Sequence, residues 1–175
     1  MPAAVHSWVV MGVSGSGKTE IGRRLAARLQ LDFIEGDAFH SPRNVEKMSH
    51  GTPLTDEDRE EWLLTLQQQL RRAAHAGKAV VLSCSALKRR YRDLLRAGDP
   101  DLVLVYLHGE RALLEQRMHL RQGHFMPASM LDSQLATLEP PQSDERFIAV
   151  DIGDTPEQIV QRIVTQCSAS MASSA

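Results

Sequence analysis

Five short apolar runs recur along the chain, at Ser7–Met11, Asp32–Glu35, Ala79–Cys84, Leu102–Leu107 and Phe147–Asp151, and stretches of helical periodicity separate them. The predicted helices are Lys18–Leu29, Arg43–Ser49, Asp56–Ala76, Leu87–Arg96, Arg111–Gln122, Ala128–Leu138 and Pro156–Cys167. Several carry boundary signals. Thr55 ahead of Asp56 and Asp58 offers a cap and an acidic first turn, Thr155 precedes a proline at a first helical position, and Gly77 is a stop. Strands alternating with helices predict an α/β protein with a mostly parallel sheet covered on both faces. The segment Gly123–Pro141 carries no strand pattern and contains Met126-Pro127 and Pro140-Pro141, so a mobile insertion is expected there. Ser168–Ala175 is small and polar, and is expected to be a disordered tail.

With 175 residues the chain has room for one core, which predicts a single domain over residues 1–167. A net charge of -2 gives no global electrostatic reason to bind nucleic acid or a membrane, so any anion site must be local. No apolar run approaches the roughly 20 residues of a membrane span, and no leader pattern opens the chain, which makes the cytoplasm the expected compartment. Cys84 and Cys167 have neither metal spacing nor a disulfide framework and are read as reduced thiols, Cys84 in the core.

The chemistry begins after the first strand. Gly12-Val13-Ser14-Gly15-Ser16-Gly17-Lys18-Thr19 fits G-x-x-x-x-G-K-[ST], with the strand before and the helix after that this pattern requires. Glycines let the backbone turn tightly and bring its N–H groups up to phosphate oxygens, and the next helix offers its positive end. Lys18 then sets a point charge on the β- and γ-phosphates, and the Thr19 hydroxyl ligates a bridging Mg²⁺. The competing reading is a glycine-rich strand–helix turn without a ligand. A GTP switch is disfavoured, because the one asparagine, Asn44, is followed by Val45 and no D-x-x-G occurs. A phosphotransferase also needs an acceptor site, and loops at the carboxyl ends of neighbouring parallel strands are where such sheets bind ligands. Two polar loops qualify: "EGDAFHSPRNVEKM" after the second strand and "SCSALKRRYRDLLR" after the third.

Together with the phosphate loop, the stretches "GDAFHSPRNVEKMSHGTPLTDEDREEWL", "CSALKRRYRDLLR" and "RQGHF" resemble the gluconate kinase family of P-loop small-molecule kinases, in order and spacing, from about Val9 to Asp151. The resemblance implies a three-layer P-loop kinase fold, with a five-stranded parallel sheet, helices on both faces and a helical lid over about residues 117–138. It also implies ATP and Mg²⁺ as cofactors and phosphorylation of the D-gluconate 6-hydroxyl. The family is often dimeric, so a homodimer is the implied assembly, although periodicity marks no interface.

Carried onto this sequence, Asp37 at the end of the second strand orients or deprotonates the sugar hydroxyl and reaches the metal shell; the alternative is a surface carboxylate capping the next helix. By resemblance His40 and Arg43 contact the polyol and carboxylate, with Lys47 equally readable as a solvated helix charge. Arg59 is aimed at substrate by resemblance, and a forked guanidinium suits a carboxylate; the alternative is an exposed helix stitched by charge pairs. Lys88 is expected near the acceptor, and Arg89, Arg90 and Arg92 as surface or phosphate-end support. Arg117 and Arg121, four apart on a helix, bring cations onto the transferring phosphate when the lid closes, or else form a basic helix end favoured by the dipole. His124 lies at the lid tip and touches gluconate by resemblance. The turn Gly153–Thr155 is the expected adenine side.

Two departures stand out: Glu61 replaces the family's proline before Trp62, and the third strand ends Leu82-Ser83-Cys84-Ser85 without an acidic residue. Mg²⁺ must therefore lean on Thr19, phosphates, waters and Asp37. A shikimate kinase is the nearest alternative enzyme, but its triple-glycine loop has no counterpart, since the chain has no Gly-Gly pair. A nucleoside monophosphate kinase shares the core and lid but not these acceptor loops, and an ATP-dependent regulatory protein leaves both loops unexplained.

Overall fold

The computed structural model describes residues 6–120 and 129–173. Its elements run β1 Trp8–Met11, α1 Lys18–Leu29, β2 Asp32–Glu35, a 3-10 turn Gly36–Phe39, α2 Pro42–Ser49, α3 Asp56–His75, β3 Val80–Ser83, α4 Arg89–Arg96, β4 Val103–His108, α5 Arg111–Leu120, α6 Met130–Thr137, β5 Phe147–Asp151 and α7 Pro156–Ser173. The five strands form one parallel sheet in the order β2-β3-β1-β4-β5. The strand β1 is central, and it and β3 are buried at every position, which is why both read as continuous apolar runs.

Right-handed crossovers fix the layers. The step from β1 to β2 runs against the direction of the later steps, so α1 covers one face and α3 and α4 the other. Accordingly α1 packs on α7, and α3 on α4. Leu25 of α1 and Leu63, Leu66 and Leu70 of α3 are fully buried against the sheet. Each such leucine contributes roughly 1.5–3 kcal/mol from burial. Thr55 caps α3 in a reciprocal box with Asp58, and Thr155 caps α7 by accepting the Gln158 N–H at 3.3 Å.

Three expectations need correction. The tail expected from residue 168 is helical to Ser173, as an exposed continuation of α7 beyond its last core-packed residue, Cys167. The segment after Gly123, expected to be a mobile insertion, carries the helix expected at Ala128–Leu138 as α6, and this helix is packed: it docks Leu131 into the main core and buries Met130 and Gln134. Asp37 does not end a strand: pairing stops at Glu35, and Asp37 sits in the 3-10 turn. Cys84 is buried, which pushes its thiol up to about 12, and Cys167 is half-buried; both are free. No helix among the described residues is long and apolar enough to cross a membrane.

Candidate active site

At the carboxyl ends of the strands, the loop between β1 and α1 takes a conformation that only glycines allow. Gly12, Gly15 and Gly17 have φ of 152°, 84° and 88°. A Cβ on Gly12 would lie 2.7 Å from the Leu107 carbonyl oxygen, and one on Gly15 would lie 2.7 Å from that of Leu114. Both strain and space therefore exclude a side chain. The loop opens into a cavity of about 820 Å³ whose lining includes Lys18, Thr19, Asp37, Arg117, Asp154 and Pro156. Lys18 Nζ donates to the Val13 carbonyl at 3.1 Å.

Behind Thr19, which lines this cavity, is a carboxylate that sequence reasoning missed. Glu35, the last residue of β2, accepts the Thr19 hydroxyl at 2.6 Å on one oxygen and the Ser83 hydroxyl at 2.6 Å on the other. The acid absent from the end of β3 is thus supplied by the neighbouring strand, with Ser83 orienting it. A hydroxyl and a carboxylate are hard oxygen donors and fit Mg²⁺. Among the described residues no group of three His, Cys, Asp or Glu side chains is placed to hold a metal, so such an ion would depend largely on phosphates and water.

Next to it lies a much smaller cavity, about 30 Å³, lined by residues that include Asp37, His40, Arg59, Trp62, Met130 and Gln134. Lys18 and Asp37 line both spaces. Asp37 owes its place to Gly36. The Gly36 N–H donates to Ser83 Oγ at 3.3 Å, its carbonyl accepts the Trp62 indole N–H at 2.8 Å, and a Cβ there would come within 2.1 Å of the Ser83 carbonyl oxygen. Trp62 also stacks on His40, with ring centroids 4.0 Å apart. Burial pushes His40 down to about 4; Asp37, whose oxygen is 4.0 Å from Nε2, opposes this and Arg59 adds to it. His40 is therefore a neutral hydrogen-bonding group near pH 7.

Arg59 is buried at 8% exposure, donates Nη1 to the Tyr91 hydroxyl at 3.0 Å, and forms an ion pair with no carboxylate among the described residues. Sequence reasoning placed it on substrate by resemblance, and the structure puts it in the inner cavity wall. Other expected residues lie elsewhere. Arg43 is on the exposed side of α2; the inward position belongs to Asn44, which donates to the Asp58 carbonyl at 2.9 Å. Lys47 pairs with Asp58 at 2.8 Å. Lys88 does not line either cavity: it stands just before α4 and turns its side chain to Asp56, with which it pairs at 3.0 Å.

Arg92, expected as surface or phosphate-end support, is fully buried. It forks onto Glu145 at 2.7 and 3.0 Å, and its Nη1 donates to the carbonyls of Ala86 and Leu87 at 2.9 and 3.3 Å. This fixes the loop after β3, where Ala86 takes φ 47° and Ser85 and Leu87 line the inner cavity. Burial opposes charge on Glu145, but hydrogen bonds from Arg92 and Arg96 hold its carboxyl down at about 2.

On α5, Arg117 Nη2 donates to the Ile152 carbonyl at 2.8 Å, and its Nη1 is 3.8 Å from where a Gly17 Cβ would stand. Gln134 of α6 accepts the Ser14 backbone N–H at 2.8 Å, a contact 120 residues apart that no local pattern signals. Arg121 and His124 lie outside the described residues.

A family model described as an AAA domain matches residues 8–141. The gluconokinase of Gluconobacter oxydans is 50% identical over 156 residues, covering 89% of this chain and 88% of that one. Among solved structures, a gluconokinase from Sinorhizobium meliloti superposes with a TM-score of 0.81 at 50% identity, covering 90% and 89% of the two chains. A sugar kinase from Janibacter does so with a TM-score of 0.88 at 50% identity, covering 93% of each. Half-identity sustained across nine-tenths of the length, on a parallel sheet whose loops build a phosphate cradle and an adjoining cavity, places the chain in the gluconokinase family.

Proposed function

We propose that the protein transfers the γ-phosphoryl group of ATP to the 6-hydroxyl of D-gluconate, giving 6-phospho-D-gluconate and ADP, a step in sugar-acid catabolism. The observation that carries this reading is Arg59: a buried guanidinium without a carboxylate partner among the described residues, in a cavity that shares Lys18 and Asp37 with the phosphate site. A buried charge costs several kcal/mol unless paired, and an acceptor carboxylate supplies that pair. Neutral His40 beside it suits hydroxyl groups.

The loop amides of residues 12–17 and Lys18 hold the β- and γ-phosphates. Asp37 orients the hydroxyl and takes its proton as the new O–P bond forms and the bond to the ADP oxygen breaks. Arg117, with Arg121, neutralises the transferring group. Thr19 and Glu35 would hold Mg²⁺, with Asp37 nearby, and the bound ion would supply further charge neutralisation. The turn before Pro156 receives the adenine. A 30 Å³ cavity holds about one water, not a six-carbon acid. We therefore assign residues 117–138 as a lid whose α6 withdraws Met130 and Gln134 to admit the acceptor. The cytoplasm, a single domain and a homodimer belong to the same proposal.

A coupled assay of ADP release with ATP and Mg²⁺, over gluconate, other sugar acids, shikimate and nucleoside monophosphates, tests it. Turnover confined to gluconate is expected. An inert gluconate alongside a working alternative acceptor overturns the substrate assignment and leaves the phosphate site standing.

A further inference from the structure

Among the described residues the Arg59 guanidinium does not meet a carboxylate, yet one lies close. Asp56 precedes it by three residues on the first turn of α3, on the same helix face. What stands between them is the Tyr91 hydroxyl, which donates to Asp56 Oδ1 and accepts from Arg59 Nη1 at 3.0 Å. The direction of both bonds is settled by chemistry. Asp56 also takes Lys88 Nζ at 3.0 Å and Arg90 Nη1 at 3.1 Å, so it is an anion able only to accept, and Arg59 is able only to donate. The phenol proton must point to Asp56 and its lone pair to Arg59. Tyr91 is itself held: its ring is buried at 2%, with Arg59 Cζ 5.5 Å and Lys88 Nζ 5.8 Å from the centroid.

We infer that Tyr91 is a positioning residue that separates Arg59 from Asp56, keeping the guanidinium charge available to the acceptor and setting selectivity for an anionic acceptor. The inference rests on the reading of Arg59 as the ligand of the acceptor carboxylate. Without the hydroxyl, Nη1 and Oδ1 face each other across the space of one oxygen atom, and a rotation of the guanidinium closes a direct ion pair. The site then neutralises itself. Asp56 is the competing anion, restrained in the native protein by Tyr91, Lys88 and Arg90.

The test compares kcat and KM for gluconate, for its uncharged C1 amide and for ATP, in the native enzyme, Tyr91→Phe and Tyr91→Phe/Asp56→Asn. Phenylalanine fills the same space, and an unchanged KM for ATP certifies the fold. A hydrogen bond to a charged group contributes enough that its loss changes affinity by roughly tenfold to a hundredfold. KM for gluconate is expected to rise by that factor in Tyr91→Phe while KM for the amide stays put, collapsing the preference for acid over amide. Removing the competing carboxylate in the double variant restores most of the preference, a recovery that a packing role for Tyr91 does not produce. A double variant no better than Tyr91→Phe, or a Tyr91→Phe enzyme with its preference intact, overturns the inference while Arg59 keeps its role. Equal use of acid and amide by the native enzyme overturns the Arg59 reading itself.

Discussion

The two cavities that meet at Lys18 and Asp37 are built on opposite principles. The phosphate side is centred on one contiguous loop that presents backbone, with side chains of α1, α5 and α7 around it, and is open at about 820 Å³. The acceptor side is made by side chains from the 3-10 turn, α3 and α6 and by the loop after β3, and encloses about 30 Å³. A backbone cradle needs only glycines at fixed spacing and the end of a helix to exist before any ligand arrives. A side-chain site needs second partners to hold each group in place: Gly36 tied by Ser83 and Trp62, Arg59 by Tyr91, the Ala86–Leu87 loop by Arg92. Damage should therefore separate cleanly between the two.

The strongest break is Asp37→Asn. Loss of a positioned base is expected to lower kcat by about 10²–10⁴-fold, with ATP affinity measured by titration nearly unchanged. Near-normal turnover would remove Asp37 from the reaction and leave the two cavities without a shared chemical group beyond Lys18.

Glu145→Gln attacks the acceptor wall from behind. It leaves buried Arg92 without its counter-charge, at an expected cost of about 3–5 kcal/mol in denaturant unfolding, and loosens the carbonyls that Arg92 holds. The cost should depend on pH in one direction. Glu145 titrates at its ordinary 4.5 in the unfolded chain and at about 2 in the folded one, so its contribution is fully present above about pH 4.5 and gone once the pH has fallen through about 2. Unfolding curves of both proteins should converge over that window; a difference unchanged by pH would mean that charge is not what Glu145 supplies.

The smallest effect belongs to His40. Its pKa is lowered from 6.5 to about 4, so the unfolded state binds more protons between those values and stability falls as pH drops from 6.5 to 4. His40→Gln should flatten that part of the stability profile. In the native enzyme, NMR titration of the His40 ring should show no transition near 6.5.

The same contrast explains what the sequence made legible. The phosphate loop was readable because its physics is local: eight consecutive residues, a strand before and a helix after. Strand β2, strand β5 and helix α1 fall on their expected boundaries because apolar period and flanking signals agree there. Arg92 was misread because nothing near it in the chain announces Glu145, 53 residues on. Gln134 was missed for the same reason, its partner Ser14 lying 120 residues away. Arg43 and Asn44 were exchanged by a helix that starts at Pro42 with Ser41 as cap, which turns Asn44 rather than Arg43 inward. Glu35 was overlooked because an acid was sought on β3, whereas the parallel register sets Glu35 beside Ser83.

The strand order β2-β3-β1-β4-β5 has an evolutionary consequence. On the proposed assignment, two of the loops that meet the acceptor emerge from β2 and β3, on one flank of β1, with α6 reaching in from the β4 side, while the turn after β5 lies on the other flank. Mutations that alter what receives the phosphoryl group and those that alter what donates it fall in different stretches of the gene, separated by the phosphate loop's strand in space. On that assignment the acceptor loops can vary in sequence without touching the glycines of the phosphate loop, and the shared residues Lys18 and Asp37 are where the two sides are bound to change together.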